Sequence, residues 1–317
     1  MSTSAEAATA PRSQRRLPDF FIVGHHKSGT TALYEMLRRH PQIFMPDLKE
    51  PRWFDSDLHG ATSAGSKLRT FEEYLALFEP AGADQIVGEA SPSYLRSHTA
   101  ARAIAEVAPG ARCIAIFREP ASFVRSMHLQ LVQEHVESEK DLRRAVAGEE
   151  VVREGQRRLR YSDHVRYAEQ LARYHSVFPR EQVLALIYDD FRRENEDTVR
   201  AVLRFLGVDD TAPVEVMDAN PTVVVRSLRA DRIVRGLYGG RSPAGRAARK
   251  LVRTLTPARV RSGALSAVRR RALYGRPTPP DEELMGELRS RYAPEVRALG
   301  EYLDRDLLAL WGYDDVR

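Results

Sequence analysis

The stretch from Asp19 to Leu33 constrains this chain more than any other. It opens as an apolar run, Phe20-Phe21-Ile22-Val23, breaks at Gly24, and resumes at helical spacing through Leu33, Tyr34, Met36 and Leu37. An apolar run with β-branched and aromatic residues reads as a buried strand, and the resumed spacing reads as a helix. The turn between them holds Gly24 and Gly29 on either side of Lys27, followed by Thr30 and Thr31. A strand, a glycine-bearing loop and a helix N-terminus together make an anion site, because first-turn N–H groups have no partner within the helix and the helix dipole favours negative charge there. Gly29 lets the backbone approach a phosphate closely, and the two threonines add hydroxyl donors. In the nucleotide triphosphatase loop a lysine directly follows the second glycine. Here Thr30 follows Gly29 and Lys27 lies within the loop, so the lysine meets the anion from another side.

Downstream, strand-like runs alternate with helical ones. Gln85 to Gly88, Arg112 to Phe117 and Gln182 to Tyr188 read as further strands. Phe71 to Phe78, Ala100 to Val107, a segment beginning at Pro120, Tyr161 to Phe178, and a segment ending at the cap Gly207 read as helices, and charged Lys140 to Arg160 reads as one with an exposed face. Prolines bracket His40 to Pro46 and Lys49 to Asp55, which are therefore extended or turn segments. The closing pattern from Glu282 to Leu310 is a long helix that Pro294 kinks or divides. Alternation of this kind specifies the α/β class: a single domain with a central parallel sheet flanked by helices. The reading places a disordered tail at 1–16 and one domain at 17–317.

Charge is unevenly spread. Residues 226–276 hold fifteen lysines and arginines against one acid, Asp231, in a chain whose net charge is +5, so the remainder is net acidic. Three readings stay open for that segment: a solvated helical face, a peripheral contact with an anionic membrane surface, or guidance of an acidic acceptor. It carries no evident base-stacking platform, which argues against nucleic acid as a partner. No run is long and apolar enough to span a membrane. The single cysteine, Cys113, sits in an apolar strand and excludes an intrachain disulfide, in keeping with a reducing, cytoplasmic setting.

Chemistry-bearing residues gather at predicted strand ends. Glu89 follows the second strand, at the edge where open parallel sheets bind ligands, and reads either as a general base or as a cap or ion-pair partner. Arg118 follows the Arg112 strand and Ser126 lies in the helix after it; Arg presents a fixed fork of donors suited to phosphate. Lys49, Glu50 and Asp55 among Trp53 and Phe54 form either a polar pocket with aromatic walls or a surface loop with an ion pair. No pattern of metal ligands stands out.

Several of these segments together resemble the sulfotransferases that use 3′-phosphoadenosine 5′-phosphosulfate (PAPS). Phe21 to Leu33 is similar to their 5′-phosphosulfate loop, and Ile116-Phe117-Arg118-Glu119-Pro120 through Ser126 to their 3′-phosphate element. Lys49 to Phe54 and Glu89 to Tyr94 resemble segments of the carbohydrate-modifying branch. The resemblance spans residues 19 to 210 and implies a P-loop-like nucleotide-binding core and transfer of a sulfonyl group from PAPS to an acceptor hydroxyl, on a carbohydrate or glycolipid, without a metal. It implies that Lys27 shields charge on the bridging oxygen, that Ser28, Gly29, Thr30 and Thr31, joined by His26, cradle the 5′-phosphate, and that Arg118 and Ser126 bind the 3′-phosphate. Glu89 then takes the acceptor proton, with His98 as a rival, and Lys49 sits near the transferring group. Arg226 is the candidate for a late 3′-phosphate contact. His25 and His26 depart from the loop's usual residues, and contact with substrate and simple packing both stay open for them. The alternative is a P-loop kinase-like phosphotransferase, which would require ATP, magnesium and an acidic metal ligand.

Overall fold

A computed structural model describes residues 16–59, 68–134, 136–148, 160–216, 224–225, 274–275 and 279–314. Five parallel strands form the central sheet: β1 (Phe20–Gly24), β2 (Ile43–Phe44), β3 (Ile86–Ala90), β4 (Arg112–Phe117) and β5 (Val183–Ile187), in spatial order β2-β3-β1-β4-β5. β1 is the middle strand and all five of its residues are buried, which is why its sequence is a continuous apolar run and not an alternating one.

Strand alternation then sorts side chains between the two faces. On one, Phe20, Ile22, Ile114 and Ile116 join Leu33 and Leu37 of α1 (Thr30–Leu37) and Val202 and Leu206 of α10 (Asn195–Leu206). On the other, Phe21 meets Phe54 edge-on at 6.0 Å and Phe117 meets Tyr167 at 5.1 Å. Each fully buried apolar side chain contributes about 1.5–3 kcal/mol. Helices α2 (Ser56–His59), α3 (Phe71–Ala76), α4 (Ala100–Val107), α5 (Pro120–Gln133), α6 (Leu142–Ala147), α7 (Tyr161–His164), α8 (Tyr167–His175) and α9 (Tyr188–Arg193) connect and cover the strands, and α11 (Glu282–Leu303) and α12 (Leu307–Trp311) follow later in the chain.

The chain's contacts gather into two compact units. The first holds the five-stranded sheet and comprises Met1–Glu119, Ser162–Ala219 and Ala293–Asp314. The second comprises Pro120–Tyr161, Asn220–Tyr292 and Asp315–Arg317. Within the second, His128 is buried between the Tyr161 hydroxyl (2.9 Å) and the Lys140 carbonyl (3.2 Å), Arg143 of α6 pairs with Glu287 of α11 at 2.5 Å, and residues 224–225 pair antiparallel with 274–275.

The α/β class and the parallel sheet are as the sequence led us to expect. Among the local expectations, the single helix from Tyr161 to Phe178 and the division at Pro294 need correction. Residues 43–44 form a short edge strand inside the proline-bracketed segment. Tyr161 to Phe178 is two helices, because Tyr167 N–H turns back to the Val165 carbonyl at 2.8 Å and breaks the run. Only Leu142–Ala147 of the Lys140 to Arg160 segment is a described helix; 149–159 lie outside the described residues. α11 runs through Pro294, and the break falls instead at Asp304, whose φ is 51°. The expected tail lies outside the described residues except Arg16, which donates to the Gly82 and Gln85 carbonyls at 3.0 and 2.6 Å. The basic segment 226–276 likewise lies outside them, apart from 274–275.

Packing at the β3–β1 contact is tight. A Cβ on Gly88 would lie 2.1 Å from the Phe20 ring and 2.4 Å from the Met45 sulfur. Gly88→Ala is therefore expected to lose about 1–3 kcal/mol through overpacking, and a thermal melt showing no loss would contradict that packing.

Candidate active site

The loop after β1 is shaped by glycine and by aromatic residues from much later in the chain. Gly29 caps α1 with φ 86° and no side-chain cap. A Cβ there would meet the Phe191 ring at 3.1 Å and Tyr188 at 3.3 Å, so both conformation and space hold this position to glycine. Lys27 also has a left-handed φ, 59°. Its carbonyl accepts a hydrogen bond from the Arg118 guanidinium at 2.8 Å, which brings the end of β4 to the β1 loop. The same guanidinium lies 4.8 Å above the Tyr188 ring, a cation–π arrangement that holds the fork in place. Ser28 is fully buried and its hydroxyl donates to the His26 carbonyl at 3.3 Å; Thr30 is buried and Thr31 exposed. The uncapped α1 N-terminus thus sits with Lys27 and Arg118 at one edge of the sheet. These are the elements of a polyanion site.

The two histidines differ. His25 is fully buried against His164 (5.6 Å) and Tyr167 (5.5 Å), so it packs. Burial, helped by neighbouring His26 and Arg96, pushes it down to about 3. His26 is half-buried, and burial outweighs the attraction of Glu50 to bring it to about 4. Both imidazoles are neutral at pH 7.

Two carboxylates follow. Glu89, at the end of β3, is completely buried. Its Oε1 accepts from the Ser91 hydroxyl at 2.5 Å, and its Oε2 from the hydroxyls of Tyr74 (2.8 Å) and Tyr94 (3.2 Å). Burial raises it to about 7 against the pull of these three donors. Glu50 is the opposite case. Its side chain is 26% exposed, and it bridges Lys49 Nζ at 2.8 Å and the Arg52 guanidinium at 2.5 Å. Burial works against its charge, but Lys49, His26 and the two hydrogen bonds outweigh that and hold the carboxyl at about 2.

Lys49 itself is 18% exposed in that pair. Ser126 lies on α5, in the second unit; it is buried, and its hydroxyl has no partner among the described residues. His98 is exposed, with its backbone N–H on the Asp57 carboxylate at 2.9 Å. Arg226 lies outside the described residues. Sequence reasoning had placed Glu50 either in a polar pocket or in a surface ion pair, and it missed Tyr74 and Tyr94 as partners of Glu89 and Tyr188 and Phe191 as supports of the loop.

The model of the Sulfotransferase domain matches residues 17–229, more than half of the chain. The chain belongs to the sulfotransferase family. Among its relatives, carbohydrate sulfotransferase 15 of Rattus norvegicus is 36% identical over 107 residues, which are 27% of this chain and 19% of that protein. Heparan sulfate glucosamine 3-O-sulfotransferase 6 of Homo sapiens is 34% identical over 121 residues, 37% of this chain and 31% of that protein. The matches thus span less than a third of either relative. A sulfotransferase from Alicyclobacillus acidocaldarius shares the fold, with a TM-score of 0.68 at 24% identity over 93% of this chain and 99% of that one. Among the described residues no helix is long and apolar enough to cross a membrane, and no cluster of His, Cys, Asp and Glu is placed to hold a metal ion.

Proposed function

We propose that this sulfotransferase moves a sulfonyl group from PAPS to a hydroxyl of a carbohydrate-type acceptor. The observation that carries the reading is the convergence at one loop: an uncapped helix N-terminus behind Gly29, with Arg118 tied to the Lys27 carbonyl. That donor set fits a nucleotide with phosphates at two positions. PAPS supplies an activated sulfonyl group and a leaving bisphosphate. The chain's own residues do the rest. Ser28, Gly29, Thr30 and Thr31, with His26, hold the 5′ end. Lys27 stabilises the charge that builds on the bridging oxygen as its bond to sulfur breaks. Arg118 takes the 3′-phosphate; for Ser126 and Arg226 that role rests on the motif resemblance alone. The acceptor oxygen forms the new bond to sulfur, and its proton passes to a carboxylate.

Two carboxylates compete for that proton. The sequence favoured Glu89. Glu89 is completely buried with both oxygens occupied by hydroxyls, whereas Glu50 is ionised and partly exposed beside Lys49. We assign the proton to Glu50 and the positioning of the transferring group to Lys49.

Calorimetry with 3′-phosphoadenosine 5′-phosphate (PAP), 5′-AMP and ATP–magnesium tests the donor. Clear preference for PAP is the expected result. Equal or tighter binding of ATP–magnesium would replace this reading with the kinase one.

For the basic segment the proposal is peripheral contact with an anionic membrane surface. Co-sedimentation with anionic vesicles at moderate salt should be lost when 237–276 are deleted; unchanged binding refutes it.

A further inference from the structure

We propose that the turn at residues 311–313 orients the Arg118 fork, with Trp311 and Tyr313 as positioning residues for recognition of the donor's second phosphate. The proposal rests on the assignment of Arg118 above, and every contact it uses lies within the first unit.

Strand register creates the arrangement. β4 and β5 run parallel, and Phe117 stands opposite Ile187 at the end of their ladder. The residues that follow, Arg118 and Tyr188, are therefore neighbours, which is how the guanidinium comes to lie 4.8 Å from the centre of the Tyr188 ring. One residue further on, each strand end carries an acid: Glu119 after Arg118, and Asp189 after Tyr188. Both acids are met from the same late turn. The Tyr313 hydroxyl donates to Glu119 Oε1 at 2.5 Å, and the Trp311 indole N–H donates to Asp189 Oδ2 at 2.9 Å. Glu119, Trp311 and Tyr313 are all buried. Each half of the cation–π pair is thus held, one residue away, by one of two rings that are two residues apart in sequence.

Local chemistry puts the rings there. Gly312 ends α12 in the left-handed region, with φ 70°, and the Tyr313 N–H returns to the Leu308 carbonyl at 2.8 Å, as in glycine-terminated helices generally. At the start of α12 the Asp306 carboxylate accepts from the Ala309 N–H at 3.0 Å, and Arg305 beside it pairs with Asp190. A Cβ on Gly312 would meet nothing within 4 Å, so the backbone conformation alone holds this position to glycine.

Arginine takes a phosphate through a planar fork, so its orientation counts as well as its charge. A turn that fixes both the residue after the fork and the residue after the ring beneath it fixes that orientation. The coupling is reciprocal: whatever factor the docked turn contributes to PAP binding, bound PAP returns to the docking of the turn.

Calorimetry on the full chain is the test. Tyr313→Phe removes one hydroxyl, and Gly312→Ala disfavours the turn without a clash. Each should weaken PAP binding about three- to tenfold, as expected for members of one hydrogen-bond network, and affect 5′-AMP much less. In an Arg118→Ala background neither should weaken PAP binding further. In the wild type, PAP should slow hydrogen exchange of the Gly312 and Tyr313 amides, and 5′-AMP should not. Equal losses for PAP and 5′-AMP, or losses that persist in full without Arg118, would make the turn a general support of the fold and overturn the proposal. Unchanged PAP affinity in both variants would do the same. If neither variant folds, the wild-type exchange decides, and no slowing by PAP overturns it. A wild type that does not prefer PAP to 5′-AMP would instead strike the donor reading, and this proposal with it.

Discussion

Glu50→Gln is expected to lower kcat by about 10²- to 10⁴-fold, the usual contribution of a positioned base. Gln preserves the volume of the side chain and its hydrogen-bonding length, but it cannot accept the acceptor's proton. It also leaves Lys49 and Arg52 without the anion that now pairs them at 2.8 and 2.5 Å. The pH dependence separates this carboxylate from its rival. A base works only when ionised. With Glu50 held at about 2, the ionised form is complete well below neutrality, and kcat should show no acid limb between pH 5 and 8. With Glu89 as base, raised to about 7, activity would fall by half near pH 7 and roughly tenfold for each unit below. Stopped-time assays across that range, with a carbohydrate acceptor and PAPS, read the difference directly. An acid limb near 7 would return the role to Glu89.

Arg118→Ala should weaken PAP binding by about 10- to 150-fold, the range expected for losing charge-assisted hydrogen bonds of about 1.5–3 kcal/mol. The change for 5′-AMP should be much smaller, because that ligand lacks the 3′-phosphate. Some loss is expected even there, since the guanidinium also braces the Lys27 carbonyl at 2.8 Å. Arg118→Lys should fall between the two: it keeps the charge but loses the fork and the flat face that lies over Tyr188. Equal losses for PAP and 5′-AMP in titration calorimetry would mean that Arg118 supports the loop and does not read the second phosphate.

Much of this architecture is legible in the sequence because burial on both faces writes itself as apolar runs. β1 and β4 could be read within a residue or two for that reason, β5 from an apolar run that the edge of the sheet leaves only partly buried, and α4 from its helical spacing. The Lys27–Gly29 loop was legible because few local patterns place lysine, glycine and paired threonines between a strand and a helix. β2 was not, since two residues between prolines carry no periodicity. α9 was hidden by its charges: Asp189, Asp190, Arg192 and Arg193 surround Phe191, the helix's one buried residue. The environment of Glu89 was the most consequential gap. A glutamate at a strand's C-terminal end looks the same in sequence whether it faces solvent or three hydroxyls. Two of its partners lie close by, at Ser91 and Tyr94, but the third arrives from α3, and nothing local announces that the group is sealed.

The floor beneath Gly29 has a consequence for protein engineering. Tyr188 and Phe191 come from α9, some 160 residues after the loop. That helix is itself moored by the Trp311 indole on Asp189 at 2.9 Å and by Arg305 on Asp190. The anion cradle is therefore not portable. Grafting residues 24–31 onto another strand–helix junction would transplant the letters without the support that bends them, and a minimal donor-binding fragment would have to retain α9 together with residues 305–311.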